Sequence, residues 1–429
     1  MRRTGLVAIS LLGWGLGVPA LAGPAIEIYR SEDPQLRLGS VSFEGGKTLE
    51  LSVGIGSAAF RRPDAPGNLF VTVSDRGPNF PCAEAKEVAG VDSEKLCAGI
   101  KGGRIYPMPD YSPTIYRIEV KEGGFRVLQA TPITDRDARP VSGMPNPLSK
   151  ATTETPVDAR GQKLERRASA IDAEGIVELA DGTFWIGEEN APSILHVGGD
   201  GKVVRRLVPA GSEGDFADAG YPVEGRLPAI LARRQLNRGI ESMAVSPDER
   251  FLWFVLQNPL ANPDAKAYRA ARNTRLFRYD RVEDRLVGEY VYELTAMAEF
   301  KGEEGKAQST ARVSELTALD GDRFLVVDRT ERTTKIVLID TRDATNILGS
   351  KWDDPATLPS LEQVALAETG IVPVTKKIVL DSTAHPELPT KIEGVAFFGD
   401  GSLMLINDDD FGIGGRRTSV ARVRGLDLR

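Results

Sequence analysis

A chain of 429 residues, 41% hydrophobic and 27% charged, has ordinary globular composition and enough material for a large core. Its formal net charge of −7 argues against nucleic acid as a partner. Two histidines and two cysteines leave little from which to build a nitrogen or sulfur metal cage.

At the N-terminus, Arg2 and Arg3 precede an apolar run over 6–18, and Ala20-Leu21-Ala22 fits a small-residue cleavage site. Residues 1–22 are expected to be a signal peptide and 23–429 a single exported domain, periplasmic or secreted. Loss of Arg2 and Arg3 takes the net charge from −7 to −9. No later stretch has the roughly 18 unbroken apolar residues of a membrane helix.

Residues 26–48 read as one or two lone strands, and 419–428 as the outer strand of the last sheet, so both chain ends are expected to close one sheet. A loose first unit has strands at 49–56 and 68–74 and ends on Asp75-Arg76. Segment 77–112, rich in Gly, Pro and charge, should hang over the face reached by Asp75. It contains Cys82 and Cys97, which an oxidising compartment would favour bridging. Outer strands are expected at 114–120 and 125–131, then a long irregular loop over 135–170.

The stretch 171–207 is the clearest unit: strands at 175–180, 183–187, 193–197 and 202–207, with a hairpin turn at Asp181-Gly182. Glu174 stands before the first strand and Glu188-Glu189 after the second, so the hairpin brings all three to one end of the sheet. The layout recurs from Glu241, turning at Pro247-Asp248 and ending on Gln257-Asn258. It recurs from Glu315, ending on Asp328-Arg329, and from Glu393, ending on Asn407 to Asp410. Between units lie a short helix expected at 228–235, an insert at 259–273, and helical turns within 353–370.

Five such units predict an all-β fold, a β-propeller of five antiparallel blades with long loops on one mouth. The 122-residue interval between the first two units has room for a sixth blade. Trp185, Trp253, Phe324 and Phe398 fall on strands, where core packing is their expected role. His196 reads as a packed or hydrogen-bonded side chain, and His385 as surface decoration.

Hairpins converging on one axis would gather Asp75, Glu174, Glu189, Glu241, Glu315, Asp328, Glu393, Asn407 and Asp408 at one opening. So many carboxylates need a compensating cation. Oxygen donors of this kind suit a hard ion, Ca2+ first. Arg76, Arg238, Arg329 and Lys391 stand beside these acids and could clamp a phosphate, while Glu241 or Glu174 orients or deprotonates a water. The same neighbours could instead close a salt-bridge ring around a channel. No G-x-S-x-G elbow and no G-x-x-x-x-G-K-[ST] loop occurs.

The ordered motifs SDRGPN (74–79), DAEGIVELADGTFWIGEE (172–189), RGIESMAVSPD (238–248), SELTAL (314–319) and IEGVAFFGDG (392–401) resemble the phytase-like β-propeller family, whose members are often labelled as having esterase-like activity. The resemblance implies a propeller, export, and a small-molecule phosphoester or ester substrate. Three functions are compatible with these residues: a calcium-dependent phosphoester hydrolase, a calcium-dependent lactonase or carboxylesterase, and a non-catalytic ligand-binding propeller.

Overall fold

A computed structural model describes residues 23–429; the expected signal peptide, 1–22, lies outside the described residues. Five large sheets dominate. Sheet I comprises Ala58–Phe60, Leu69–Val73, Thr114–Lys121 and Gly124–Pro132. Sheet II comprises Ala173–Glu178, Phe184–Glu188, Ser193–Val197, Val203–Pro209 and Val223–Leu227. Sheet III comprises Ile240–Val245, Phe251–Leu256, Asn273–Asp280 and Arg285–Glu293. Sheet IV comprises Arg312–Ala318, Arg323–Arg329, Thr334–Asp340 and Thr375–Asp381. Sheet V comprises Ile392–Phe397, Leu403–Asn407, Val420–Arg424 and Ala25–Tyr29. Pairing is antiparallel throughout these sheets except between Val203–Pro209 and Val223–Leu227. The strands Ala58–Phe60, Ala173–Glu178, Ile240–Val245, Arg312–Ala318 and Ile392–Phe397 pack one against the next in the cycle I–II–III–IV–V–I.

Alternation along the strands explains how the sheets stack. Successive side chains point to opposite faces, and here both faces are covered. Ile186 joins Val73 and Ile115 in the core between sheets I and II, whereas Trp185 joins Met243 and Phe254 between II and III. Phe324 and Val326 pack toward Trp253 of sheet III, while Leu325 and Val327 pack toward Leu405 of sheet V. Phe70 and Ile118 meet Met404 and Ile406 between sheets V and I. Each fully buried large side chain contributes about 1.5–3 kcal/mol, so the apolar second strands are what hold neighbouring sheets together.

The turns follow their residues. At Asp181-Gly182 the Asp181 carboxylate accepts from the Thr183 N–H at 2.9 Å, and Gly182 takes φ 83°, which costs a residue with a Cβ. The expected core aromatics are in the core: Trp253 lies 4.9 Å from Phe324, and Phe398 is buried. Trp185 stacks on His196 at 4.9 Å, and the His196 ring shares a hydrogen bond with Thr183 Oγ1 at 3.1 Å. His385 follows the 3-10 turn Ser382–Ala384, partly buried, 3.5 Å from Glu387.

Several expectations need correction. The inner strand of sheet I is Ala58–Phe60, not 49–56. Thr48–Ser52 instead pairs with Arg37–Ser42 in a separate hairpin. Between them Gly56 passes so close to sheet V that a Cβ would stand 2.0 Å from the Asn407 carbonyl oxygen. In sheet V the C-terminal strand Val420–Arg424 is third, and Ala25–Tyr29 is outermost. The 122-residue interval holds the outer strands of sheet I and a small sheet of Phe80–Pro81, Gly103–Ile105 and Thr155–Val157, the last drawn from the supposedly irregular loop. The helices expected at 228–235 and within 353–370 are 3-10 turns at Ala229–Arg233, Lys351–Asp353 and Leu366–Glu368. Insert 259–273 carries the α-helix Ala265–Ala270, capped by Asp264.

Cys82 and Cys97 form a disulfide that closes a 15-residue separation. The cysteines pack with Phe80, Ala85 and Leu96 in a small core beneath segment 77–112. Among the described residues no helix is long and apolar enough to cross a membrane.

Candidate functional site

Four of the five inner strands carry a β-bulge near their start. Register slips by one residue across Glu174, Glu241, Ser314 and Glu393, each unpaired between two ladder partners. A bulge re-aims its extra side chain, and Glu174, Glu241 and Glu393 turn into a common cavity of 860 Å³. The following residue must let neighbouring strands meet. A Cβ on Gly175 would stand 2.8 Å from Met243 N, and one on Gly394 would stand 2.8 Å from the Ala58 carbonyl carbon.

The bulge corrects one expected ligand. In sheet IV the bulged residue is Ser314, and Glu315 sits one place beyond it. Its carboxylate does not line the cavity; it accepts from Ala59 N at 3.0 Å, Leu316 N at 2.9 Å and Val395 N at 3.5 Å. Glu315 thus fastens sheet IV to sheets I and V. Burial pushes its carboxyl well above the usual range, with backbone N–H groups opposing. Glu315→Ala should destabilise the protein by about 1–3 kcal/mol, as measured by urea unfolding.

Alternation sorts the residues that follow the second strands. Glu188, Asp328 and Asn407 face away from the cavity and serve the backbone. Glu188 accepts from Asp172 N at 3.1 Å and pairs with Arg206 at 3.2 Å. Asp328 accepts from Thr295 N at 2.7 Å and Tyr292 Oη at 3.0 Å, and Asn407 Oδ1 accepts from Ser419 N at 2.7 Å. Asp328 and Asn407 are therefore not placed as metal ligands. One residue further on, Glu189, Gln257, Arg329 and Asp408 line the cavity. Asp75, after Ser74, takes the same place in sheet I.

Every expected catalytic residue lines this cavity: Glu241, Glu174, Arg76, Arg238, Arg329 and Lys391. So do the expected ligands Asp75, Glu189, Glu393 and Asp408. Gly77, Asn79, Phe80, Pro81, Glu84, Glu87 and Val88 from segment 77–112 lie at its wall, as their placement after Asp75 predicts. Sequence reasoning missed Asp172, Glu154, Arg104, Arg312, Glu331 and Asp410. Asp172 stands two residues before Glu174, within reach of the same motif. Glu154 comes from the long loop, where nothing in the local sequence marks it.

The cations are mostly engaged. Arg76 binds Glu154 at 2.8 Å and Asp172 at 3.4 Å, and Tyr106 donates to Glu154 at 3.0 Å. Arg238 meets Glu189 at 3.3 Å. Arg329 donates to Ser314 Oγ at 2.6 Å and pairs with Glu393, and Ser314 Oγ lies 3.4 Å from Glu241 Oε1. Lys391 bridges Asp408 and Asp410. Lys391, Asp410 and Phe411 hold φ of 57°, 50° and 56°, a strained conformation that packing must enforce.

Twelve acidic and seven basic side chains line the cavity, an excess of five negative charges. The excess concentrates where Asp75, Asp172 and Glu174 offer carboxylate oxygens all within 4.8 Å of one another. Both Asp172 oxygens, Glu174 Oε2 and Glu241 Oε2 are buried and accept no hydrogen bond. Burial, then the Glu241, Asp172 and Asp75 charges, push the Glu174 carboxyl well above its usual value. Burial, then Asp408 and Asp172, do the same to Asp75. Glu189 and Glu241 are raised as well, burial being the main cause. Buried carboxylates with empty lone pairs and an all-oxygen donor set fit a hard divalent cation.

A family described as "Phytase-like: Esterase-like activity of phytase" matches residues 54–411. An uncharacterized secreted protein of Arthroderma benhamiae is 23% identical over 248 residues, covering 52% of this chain and 48% of that protein. The chain thus spans about half the length of the curated relative it matches. Among solved structures, hydrazine synthase of Kuenenia stuttgartiensis aligns over 83% of this chain and 78% of its own, at TM-score 0.34 and 10% identity. A luciferin-regenerating enzyme aligns over 94% and 97%, at TM-score 0.33 and 13% identity. At these scores neither structure bears on fold or activity.

Proposed function

Because the chain belongs to the phytase-like family described by the esterase-like activity of phytase, we propose that it is an exported hydrolase of ester bonds, with phosphoesters as the favoured substrates. In this reading the five sheets are the blades of a propeller and the acidic cavity is its active mouth. The observation that carries the proposal is the trio Asp75, Asp172 and Glu174, whose three clustered carboxylates meet one cation, Arg76, which Glu154 also engages. Asp75, Asp172 and Glu174 would hold a calcium ion, which when bound supplies Lewis-acid polarisation of a phosphoryl oxygen and a more acidic water.

The chain's own residues divide the remaining work. Glu241 Oε2 is buried without a hydrogen-bond partner, so it is free to take a proton from an attacking water at that atom. Ser314 and Arg329 act behind it: Arg329 Nε fixes Ser314 Oγ, which orients Glu241 through its other oxygen. Arg76 cannot leave Glu154 without uncovering a buried acid, so its role is to hold Glu154 and Asp172 in place rather than to follow substrate. Arg238 likewise positions Glu189. Arg329→Ala is a poor test of phosphate recognition, because it also strands buried Glu393.

The test is hydrolysis by residues 23–429 of phosphomonoesters, phosphodiesters, phytate, lactones and short carboxyl esters, with calcium and with chelator. Calcium-dependent phosphate release is expected, falling at least about 100-fold in Glu241→Gln with the fold intact. Turnover confined to neutral esters would move the substrate class to lactones or carboxyl esters. Absence of turnover with calcium bound would make the cavity a ligand-holding or structural ring.

A further inference from the structure

Arg312 and Arg329 are direct cross-strand partners at the cavity end of sheet IV. Like charges opposite each other on antiparallel strands repel, so each guanidinium needs its own counter-charge. Arg329 turns inward to Ser314 and Glu393. Arg312 is paired instead with Glu331, which sits at the tip of the turn closed by Thr330 N donating to the Thr333 carbonyl at 2.9 Å. The two partners differ in kind. Glu393 is buried on the bulge of sheet V, whereas the Glu331 side chain is 48% exposed on a turn. Arg312 Nε is buried and has no acceptor, so this guanidinium has capacity that Glu331 leaves unused.

Glu331 also lies in the field of Arg329 and Lys391. Burial opposes its ionisation, yet Arg312 first, then Arg329 and Lys391, outweigh that and hold the carboxyl down at about 2. A carboxylate on a turn thus pairs with Arg312 at the cavity wall, which Arg329 and Lys391 also line. Among the described residues its one side-chain hydrogen bond is to Arg312.

We propose that Arg312, backed by Arg329 and Lys391, is the subsite for a tetrahedral dianion of the phosphate type, and that Glu331 fills it as a displaceable internal surrogate when no ligand is bound. The proposal rests on reading the acidic cavity as the substrate site. A planar guanidinium fork matches two oxygens of such an anion, and its unsatisfied Nε–H adds a donor that a single carboxylate does not use. Glu331 then competes with weak anions, and an incoming phosphate group must carry enough charge to displace it. That makes the cavity selective for dianions over monoanionic carboxylates.

Calorimetric titration with sulfate, a tetrahedral dianion far less prone than phosphate to precipitate with calcium, tests this on the calcium-loaded protein at concentrations below calcium sulfate saturation. Glu331→Gln is expected to bind sulfate about tenfold more tightly than the wild type, and Glu331→Gln combined with Arg312→Gln is expected to lose that gain. Arg312→Lys, which keeps the charge but not the fork, should retain only part of it and guards against a folding defect in Arg312→Gln. No tightening in Glu331→Gln, or a gain that survives loss of Arg312, would overturn the subsite. A gain that depends on Arg312 in a protein that turns over no ester would uphold the subsite and remove the hydrolytic reading. Normal phosphoester turnover with sulfate affinity indifferent to Glu331 would do the reverse.

Discussion

In chelator, Glu174→Gln is expected to raise the unfolding temperature, and in saturating calcium the same substitution is expected to lower it relative to wild type. The two signs come from one cause. Without a cation, buried Glu174 faces Glu241, Asp172 and Asp75, and a neutral amide of the same size removes that repulsion. If calcium binds as proposed, Glu174 is one of three clustered carboxylates that would hold it, and its loss should weaken binding by at least about tenfold. A ligand at 100 times its Kd stabilises the fold by about 2.7 kcal/mol, most of which the variant would forfeit at the same calcium concentration. Scanning calorimetry with and without chelator reads both signs. A substitution that destabilises equally in both conditions would mean that Glu174 is merely structural.

The pH dependence should follow the same logic. A carboxyl whose folded pKa lies above its unfolded value binds its proton more tightly in the folded protein. Its stabilisation is complete below the unfolded value and lost as pH rises through the folded one. Burial raises Asp75, Glu174 and Glu189 strongly, places Glu188 and Asp409 at about 7, and lifts Glu289 to about 8. Metal-free protein should therefore lose stability steadily from the ordinary carboxylate range, 4.5 for Glu, up to about pH 8. Calcium should flatten the cavity's share of that slope. Groups shifted the other way, such as Glu331 at about 2, act only in stronger acid.

Arg206→Met is expected to cost about 3–5 kcal/mol in urea unfolding, the largest single effect on stability outside the cavity. Arg206 is fully buried. Its guanidinium donates to Ser193 Oγ at 2.9 Å and the Ala170 carbonyl at 2.8 Å, and it meets Glu188 at 3.2 Å. Methionine fills similar volume yet leaves Glu188 buried without its cation. Adding Glu188→Gln should recover a substantial part of the loss, because the uncompensated charge is then gone. If the double variant is no better than the single, packing rather than charge dominates at this position. The single variant should also weaken calcium binding, since Arg206 Nη2 donates to the Ala191 carbonyl at 3.3 Å, two residues from Glu189.

Much of this was legible because the repeat has a physical period. Apolar runs broken by Asp-Gly and similar turns located the second strands of all five sheets to within about two residues, as expected for strong hairpin signals. Placement of the acids was harder. Glu241, Glu174 and Glu393 were found because an acidic residue opens each inner strand, but SELTAL carries its glutamate one position late. A one-residue slip sends a side chain to the opposite face, and no local signal marks a bulge at Ser314 rather than Glu315. The same parity separates Glu189, Arg329 and Asp408, which line the cavity, from Glu188, Asp328 and Asn407, which do not. Asp172 could have been found from the motif; Glu154 and Glu331 could not, since their positions depend on loops whose course is set by tertiary contacts. The short inner strand Ala58–Phe60 was hidden by Arg61, Arg62 and Pro63, which read as loop.

Sheet V joins the first and last strands of the described residues, with Glu27 reaching Arg424 across 397 positions. During synthesis Ala25–Tyr29 emerges long before its partner Val420–Arg424, so this strand waits unpaired while the other four large sheets are made. Such a pairing carries a large loop-closure cost and is slow to form. An unpaired edge is also where two copies can join wrongly. That delay leaves the final clasp unmade until Val420–Arg424 is available, so the outermost strand of sheet V can dock only after the rest of that sheet exists.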